Sequence, residues 1–273
     1  MDEGYRAGVR SAAFFDLDKT ILARSSSFAF ARPFYRRGLI KRTDVIRSAY
    51  AQFIFRTGGA DHDQMESMRS YMSKLVTGWD VQTVQEIVAE TLDEIVAPMV
   101  YEEAIDVMAE HRNAGRDIII ISSSGTDIVE PIGQRLGVDI AIGTQVGVEE
   151  GRYTGEIIFY AYGEGKAEAM RALAAEHDYD LAECFAYSDS ITDMPMLELV
   201  GHPFVVNPDG ELRRRAQERG WPIRDFAKPV ALRRSLDGRQ AAAAGVGVAG
   251  VALLTVAVGL AWYARRRAAR GSI

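Results

Sequence analysis

Sulfur and imidazole are nearly missing from this chain as binding chemistry. One cysteine in 273 residues, Cys184, rules out an internal disulfide framework and fits a reducing compartment. It opens an apolar strand-like run, where a lone thiol reads as core. The four histidines are scattered, so no zinc-type His/Cys cluster is spelled out. Charge of one sign is missing too: 32 basic against 38 acidic residues leave a net charge of −6, without the global signature of a nucleic-acid partner. The first ten residues, with Asp2 and Glu3, hold no apolar stretch, and no secretory signal is read there.

What is present is acid at the ends of apolar runs. Asp16-Leu17-Asp18-Lys19-Thr20 directly follows Ala12-Ala13-Phe14-Phe15, which places two carboxylates at the carboxyl end of a buried strand. In open α/β sheets that is where ligands bind. Side chains alternate along an extended strand, so Asp16 and Asp18 share one face. Like charges that close resist joint ionisation unless a cation lies between them or one keeps a proton. One ionised carboxylate can then attack while its neighbour donates. Taken alone, the same residues also fit a solvated acidic turn.

Complementary groups follow in order. Asp117 to Ile121 reads as a second strand, with Ser122-Ser123-Ser124-Gly125 beyond it and a helix from about Thr126. Hydroxyls and amides at a helix start suit a phosphate oxygen. Gly163-Glu164-Gly165-Lys166 leads into an Ala-rich helix and offers one cation. Cys184 to Tyr187 reads as a further strand, after which Ser188-Asp189-Ser190-Ile191-Thr192-Asp193 adds two carboxylates. Acids, hydroxyls and one lysine on four strand-end loops fit phosphoryl transfer with a divalent cation. Carboxylates without a His or Cys cluster match the oxygen preference of Mg²⁺. Blander readings stand beside these: Lys166 as a solvated helix-start lysine, Ser123 and Ser124 as turn formers, Asp193 as a cap before Pro195, and Asn207-Pro208-Asp209-Gly210 as a turn.

This ordered set resembles the haloacid dehalogenase superfamily of phosphohydrolases, subclass IB, its phosphoserine-phosphatase-like branch, from about Ala12 to Phe226. The resemblance implies Asp16 as the nucleophile that becomes an aspartyl-phosphate and Asp18 as the general acid, then base. It implies Ser122, with Ser123, and Lys166 at the phosphoryl group, and Asn207 near the phosphate end of the site. Mg²⁺ is implied on the Asp16 carboxylate, the Asp18 carbonyl and Asp189, with Thr20 and Asp193 in support; Asp193 steadies the metal's waters or Lys166. Lys19 is expected to point away from the metal. One departure stands out. Phosphoserine phosphatases carry a Glu shortly after the second Asp, facing the substrate's amino group, where this chain reads Arg24-Ser25-Ser26-Ser27.

Between the first and second motifs the chain shows no strand-like alternation. Phe28 to Phe55, Gln64 to Leu75 and Val81 to Ile95 carry helical spacing, divided by Gly38, Gly58-Gly59, Gly78 and Pro98. In the resembled family such an insertion is a helical cap over the active site. Its basic residues Arg32, Arg36, Arg37, Lys41, Arg42 and Arg47 read as a solvated face, or as contacts for an anionic substrate or membrane surface. Gln145 to Phe159 alternates around Glu150-Gly151, as a β-hairpin across the core would.

The expected fold is α/β: a Rossmann-like parallel sheet with helices on both faces, a helical cap inserted after the first strand, and a carboxyl-terminal transmembrane helix. Expected boundaries are 10–23 and 99–226 for the catalytic core, 24–98 for the cap, 227–240 for a linker, 241–263 for the membrane helix and 264–273 for a basic tail. Ala241 to Tyr263 runs 23 residues without a charge, long enough to span a bilayer, and Trp262-Tyr263 with Arg265-Arg266-Arg267 closes it as an interfacial anchor does. The expected function is a Mg²⁺-dependent phosphomonoesterase on a lipid-related or other small phosphate ester, held at the membrane with its catalytic domain in the cytoplasm. The alternatives are a soluble-metabolite phosphatase, phosphoserine phosphatase included, and a catalytically silent regulatory module of the same fold.

Overall fold

The computed structural model describes residues 10–40 and 62–227. Strands β1 (Ala12–Phe15), β2 (Asp117–Gly125), β3 (Ile140–Glu149), β4 (Arg152–Phe159), β5 (Phe185–Ser188), β6 (His202–Val206) and β7 (Ile223–Arg224) form one seven-stranded sheet. Their order is β4-β3-β2-β1-β5-β6-β7, and the β3–β4 pair alone is antiparallel. The helices are α1 (Ser26–Arg36), α2 (His62–Val76), α3 (Val81–Ile95), α4 (Glu102–Asn113), α5 (Thr126–Leu136), α6 (Glu164–His177), α7 (Met194–Glu198) and α8 (Gly210–Arg219).

Alternation along the central strands builds two cores. Ala13 and Phe15 of β1, with Ile118 and Ile120 of β2, pack with residues of α1, α3, α4 and α5. Ala12 and Phe14, with Ile119 and Ile121, pack with residues of α6, α7 and α8. The period of two thus sends each apolar run to both faces, which is why these strands read as unbroken hydrophobic stretches. Helices on both faces of a mainly parallel sheet agree with the expected fold class. With β1 in the middle, the ends of β1, β2 and β5 become neighbours, and residues far apart in sequence meet there.

The chain leaves the sheet after β1 and returns before β2 along paired segments. Leu22 and Val100 form an antiparallel bridge; Ala23 N donates to Met99 O (2.7 Å) and Tyr101 N to Ile21 O (2.9 Å). From the inserted helices, Phe30, Phe34, Val84, Ile87 and Val88 join the same apolar cluster as Phe15. Asp80 caps α3 by accepting from Thr83 N. The helix is then clasped to α5: Arg135 pairs with Asp93 (2.7 Å), and Gln85 donates to Asp127, which also accepts from the Tyr153 hydroxyl.

Three expectations are adjusted by the structure. The hairpin does not lie across the core; β3 begins at Ile140, pairs in parallel with β2, and carries the hairpin as an extension of the sheet edge. Its tip reaches the inserted segment, where Gly78 N donates to Tyr153 O (2.8 Å) and Val81 N to Gly151 O (3.0 Å). Gly155 permits the approach: a Cβ there would sit 2.1 Å from Thr77 Oγ1, and its φ of +84° favours glycine. Second, the serine loop after Ile121 is strand, because β2 runs on to Gly125. Third, α4 was not foreseen; its buried positions Ala104, Val107, Met108 and His111 mix small, branched and titratable side chains, so the helical period is faint. His111 accepts from Arg116 Nε (2.7 Å) at Nδ1 and lies 2.8 Å from the Tyr187 hydroxyl, bracing β5 where it meets β1. Burial, with Arg116 beside it, pushes His111 down to about 3 and keeps it neutral.

Among the described residues no helix is long and apolar enough to cross a membrane. The span expected over 241–263 lies outside the described residues, as do the tail at 264–273, nearly all of the linker, and Lys41, Arg42 and Arg47. Of the other basic residues, Arg37 pairs with Glu90 on α3 (2.6 Å) at an exposed site.

Candidate active site

The ends of β1 and β5 and the first turn of α6 converge on one buried cluster of charge. Asp16, 6% exposed, is anchored by its own amide, which donates to Tyr187 O of β5 (2.9 Å). Lys166, 2% exposed, donates from Nζ to Asp16 Oδ1 (2.6 Å) and to Asp193 Oδ2 (2.7 Å). The Ser188 hydroxyl donates to that same Asp193 oxygen (2.6 Å). Gly165 explains how a helix start comes so deep: a Cβ there would lie 2.0 Å from Tyr160 O, so only glycine lets the turn carrying Lys166 settle against that carbonyl.

Asp18 stands apart from the lysine. Its Oδ1 accepts the Ser26 amide (2.7 Å) at the start of α1, and its Oδ2 lies 3.5 Å from the Ser124 hydroxyl. Asp189, 5% exposed, accepts from Lys19 Nζ (3.2 Å). Lys19 therefore does not point away from the acids; at φ +65° the chain turns over Asp18 and lays Lys19 against Asp189, which Lys166 does not bond. Ser122 is buried and its Oγ accepts from Ser124 N (3.3 Å).

Two residues assigned to the phosphate end sit otherwise. Ser123 is exposed, on the opposite side of β2 from Ser122 and Ser124, and its carbonyl accepts from Thr144 Oγ1 (2.8 Å). Asn207 spends its carboxamide on the main chain beyond β7: Nδ2 donates to Phe226 O (3.0 Å) and Oδ1 accepts from Phe226 N (2.9 Å). Neither side chain is brought to the Asp16–Lys166 cluster. Ser188 is there, while Ser26 and Ser124 surround Asp18; the sequence reading gives Ser26 and Ser188 no role and leaves Ser124, like Ser123, as a turn former or a substrate contact. Extending alternation past Ile121 would have separated Ser124, on the Ser122 side, from Ser123.

Burial sets the electrostatics. It pushes Asp16 up to about 8, against the pull of Lys166 and with Asp193, Asp189 and Asp18 adding to the rise. Burial also pushes Asp189 up to about 6 despite Lys19. Asp18 is raised by burial, and the Ser26 amide holds it back. Lys166 would lose its proton more easily through burial, but Asp16 and Asp193 outweigh that and hold it charged. Burial is the main reason protons stay on Asp16, Asp18 and Asp189, and four acids facing two lysines add to it at Asp16 and Asp189.

Among the described residues no three acidic, histidine or cysteine side chains form a complete metal cage. The chemistry of the donors still suits a hard divalent ion, which takes one or two carboxylates and keeps several waters. Asp16 and Asp189 are buried, oxygen-only and mutually repelling. The Thr20 hydroxyl, two residues past Asp18, is buried without a hydrogen-bond partner among the described residues, so the loop has polar capacity to spare. The arrangement can present one carboxylate to an electrophile beside a fixed cation while holding a second, separately supported carboxyl ready to exchange a proton.

Comparison with known proteins places these features in a family. Residues 13–198 match the family model for haloacid dehalogenase-like hydrolases. The chain is 54% identical over 263 residues to the "Inhibition of morphological differentiation protein" of Streptomyces azureus, covering 95% of each. It is 53% identical over 258 residues to a probable phosphatase of Mycobacterium tuberculosis (94% of this chain, 90% of the relative). It is 36% identical over 252 residues to a phosphoserine phosphatase of the same organism (90% and 80%). A Bordetella pertussis protein of unknown function superposes with a TM-score of 0.70 at 29% identity, over 80% of this chain and 99% of that one. A phosphoserine phosphatase crystallised as a phospho-aspartyl intermediate analogue shares the fold at a TM-score of 0.59 and 18% identity, over 81% and 95%. The chain belongs to the haloacid dehalogenase-like hydrolase family.

Proposed function

We propose that this protein is a Mg²⁺-dependent phosphomonoesterase that works through an aspartyl-phosphate on Asp16. The observation that carries the reading is Lys166, buried and bonded to both Asp16 and Asp193, at the tip of the central strand. Asp16 attacks the phosphorus, the ester oxygen leaves with a proton from Asp18, and Asp18 then takes a proton from the water that releases phosphate. Lys166 holds Asp16 in place and offsets charge on the transferred group, with Ser122 donating to a phosphoryl oxygen. Mg²⁺ would be held by the Asp16 and Asp189 carboxylates and the Asp18 carbonyl, with Asp193 and Thr20 in support, and supplies charge neutralisation for the phosphoryl group. The α1–α3 segment acts as the cap that excludes water.

The substrate is read as a small phosphate ester near a membrane, with Ala241 to Tyr263 as the anchor and the catalytic domain on the cytoplasmic side. A soluble metabolite is the second reading; relatives include a phosphoserine phosphatase and a histidinol-phosphatase of Neisseria meningitidis, the latter 29% identical over 225 residues. Against phosphoserine itself, the stretch that should carry a carboxylate supplies Ser25, Ser26 and Ser27, and Ser26 is committed to Asp18. A panel of lipid and soluble esters, with Mg²⁺ or EDTA, tests the reading. Mg²⁺-dependent phosphate release from some member is expected, and none from any member would leave only a silent module. Detergent partitioning of the full chain against one ending at Asp237 tests the anchor, since equal solubility removes it.

The same site predicts a pH-dependent response to the metal. Asp16 and Asp189 titrate above the ordinary carboxylate value near 3.8, so the fold binds protons that the unfolded chain has lost. Their contribution to stability therefore falls as pH rises from about 4 to about 8. A cation needs the ionised forms, so Mg²⁺ stabilises more as those protons leave. The rise in melting temperature on adding Mg²⁺ is expected to be at least about twofold larger at about pH 8 than at about pH 5, with Mg²⁺ in large excess. An equal rise at both values, read by differential scanning fluorimetry, would place the ion elsewhere.

A further inference from the structure

Asp18 is held by a set of hydroxyls that the roles above do not use. The Ser124 Oγ lies 2.8 Å from Ser26 Oγ, 3.0 Å from Ser27 Oγ and 3.5 Å from Asp18 Oδ2. Ser26 is fully buried and Ser124 is 2% exposed. A hydroxyl has one proton and two lone pairs. In one arrangement that satisfies all of them Ser26 and Ser27 donate to Ser124 and Ser124 donates onward to Asp18; in another Ser124 donates to Ser26 and Ser26 donates to Asp18. Meanwhile the Ser26 amide holds the other carboxyl oxygen at 2.7 Å. Both oxygens of Asp18 are therefore governed by the first turn of α1 and the end of β2.

This matters because a carboxyl is loosely defined at its terminal torsion. A general acid works only within hydrogen-bond reach of the leaving oxygen, roughly 2.6–3.2 Å. One bond, from the Ser26 amide, still lets the group swing about that contact. The Ser25 and Ser26 hydroxyls, with Ser124 behind them at 3.5 Å from the other oxygen, restrain that swing. Ser25, the N-cap of α1, makes no capping bond of its own, so Asp18 also serves as the acceptor for the start of α1. Seating α1 and orienting Asp18 thus use the same contacts.

We propose that Ser124 is a positioning residue which, with Ser26 and Ser27, forms a hydroxyl bridge between the inserted helices and the sheet and aims Asp18 at the leaving-group oxygen. The inference rests on the phosphatase reading and extends it to residues outside the charged cluster. It predicts that the bridge matters in proportion to the leaving group's need for a proton. An alkoxide needs one; p-nitrophenolate does not.

The test compares p-nitrophenyl phosphate with glycerol phosphate, using kcat/KM, which covers events up to departure of the leaving group and excludes the later role of Asp18 as base. Ser124→Ala is expected to lose about 30-fold on the alkyl ester and less than about 3-fold on the aryl ester, short of the roughly 10²–10⁴-fold a general acid supplies because Asp18 itself is kept. Ser124→Thr restores the hydroxyl and is expected to recover most of the alkyl-ester rate. Should Ser124→Ala not fold, Ser26→Ala keeps the amide bond to Asp18, removes one hydroxyl, and is expected to show the same selectivity at about 3- to 10-fold. Equal losses on the two esters, or no loss in either variant, overturn the bridge while leaving the phosphatase standing. Absence of Asp16-dependent turnover in the wild-type protein overturns both.

Discussion

Asp16→Asn is expected to lower phosphate release by at least about 10³-fold while leaving the melting temperature in EDTA unchanged or raised. The two effects have one cause. An amide cannot take up the phosphoryl group, so the covalent step is lost. Yet Asp16 is the acid that burial and three neighbouring carboxylates push up to about 8, so near neutral pH the fold gains little from its ionised form. An uncharged side chain of the same shape relieves repulsion from Asp193, Asp189 and Asp18, and Lys166 keeps its bond to Asp193 (2.7 Å). A purely structural Asp16 predicts the reverse, lost stability and spared activity. Phosphate release measured beside a thermal melt separates the two, and retention of more than about 1% of the rate would remove Asp16 as nucleophile.

Much of this was legible in the sequence because strand ends are marked by an abrupt change from apolar to acidic. Ala12 to Phe15 before Asp16, and Phe185 to Tyr187 before Asp189, state both the strand and its carboxyl end. What the sequence does not state is lateral order. That β1 lies between β2 and β5 is a property of the assembled sheet, and it alone brings Asp16, Ser188 and Lys166 together. The residues that sit otherwise than expected do so for separate reasons. Treating Ser122 to Gly125 as a loop discarded the alternation that sends Ser124 inward and Ser123 out. Asn207 looked like a ligand beside a turn, but at φ +43° its carboxamide matches the main-chain groups of Phe226, a pairing 19 residues away that no local pattern announces. Lys19 followed the rule that lysines seek water; its exposed stem obeys it while its tip turns back to Asp189.

Lys166→Met tests whether the buried cation serves the fold, the chemistry, or both. Removing it leaves Asp16 and Asp193 facing each other with side chains almost wholly out of solvent. Breaking a buried pair this way costs roughly 3–5 kcal/mol, because Asp193 is left without a counter-ion and Asp16, already pushed up to about 8, loses its hydrogen-bond donor. In a domain of this size that corresponds to a melting temperature lower by about 6–20 °C. Adding Asp193→Asn removes the carboxylate left without a counter-ion while keeping an acceptor for the Ser188 hydroxyl, so the double variant is expected to recover about half of the loss. Activity should not follow: with no cation beside Asp16, both variants are expected to stay at least about 10³-fold below wild type. Stability and turnover therefore part company in the double variant. If phosphate release returns along with the melting temperature, Lys166 acts only as a counter-ion for Asp193, and the charge that offsets the transferred phosphoryl group has to come from another residue.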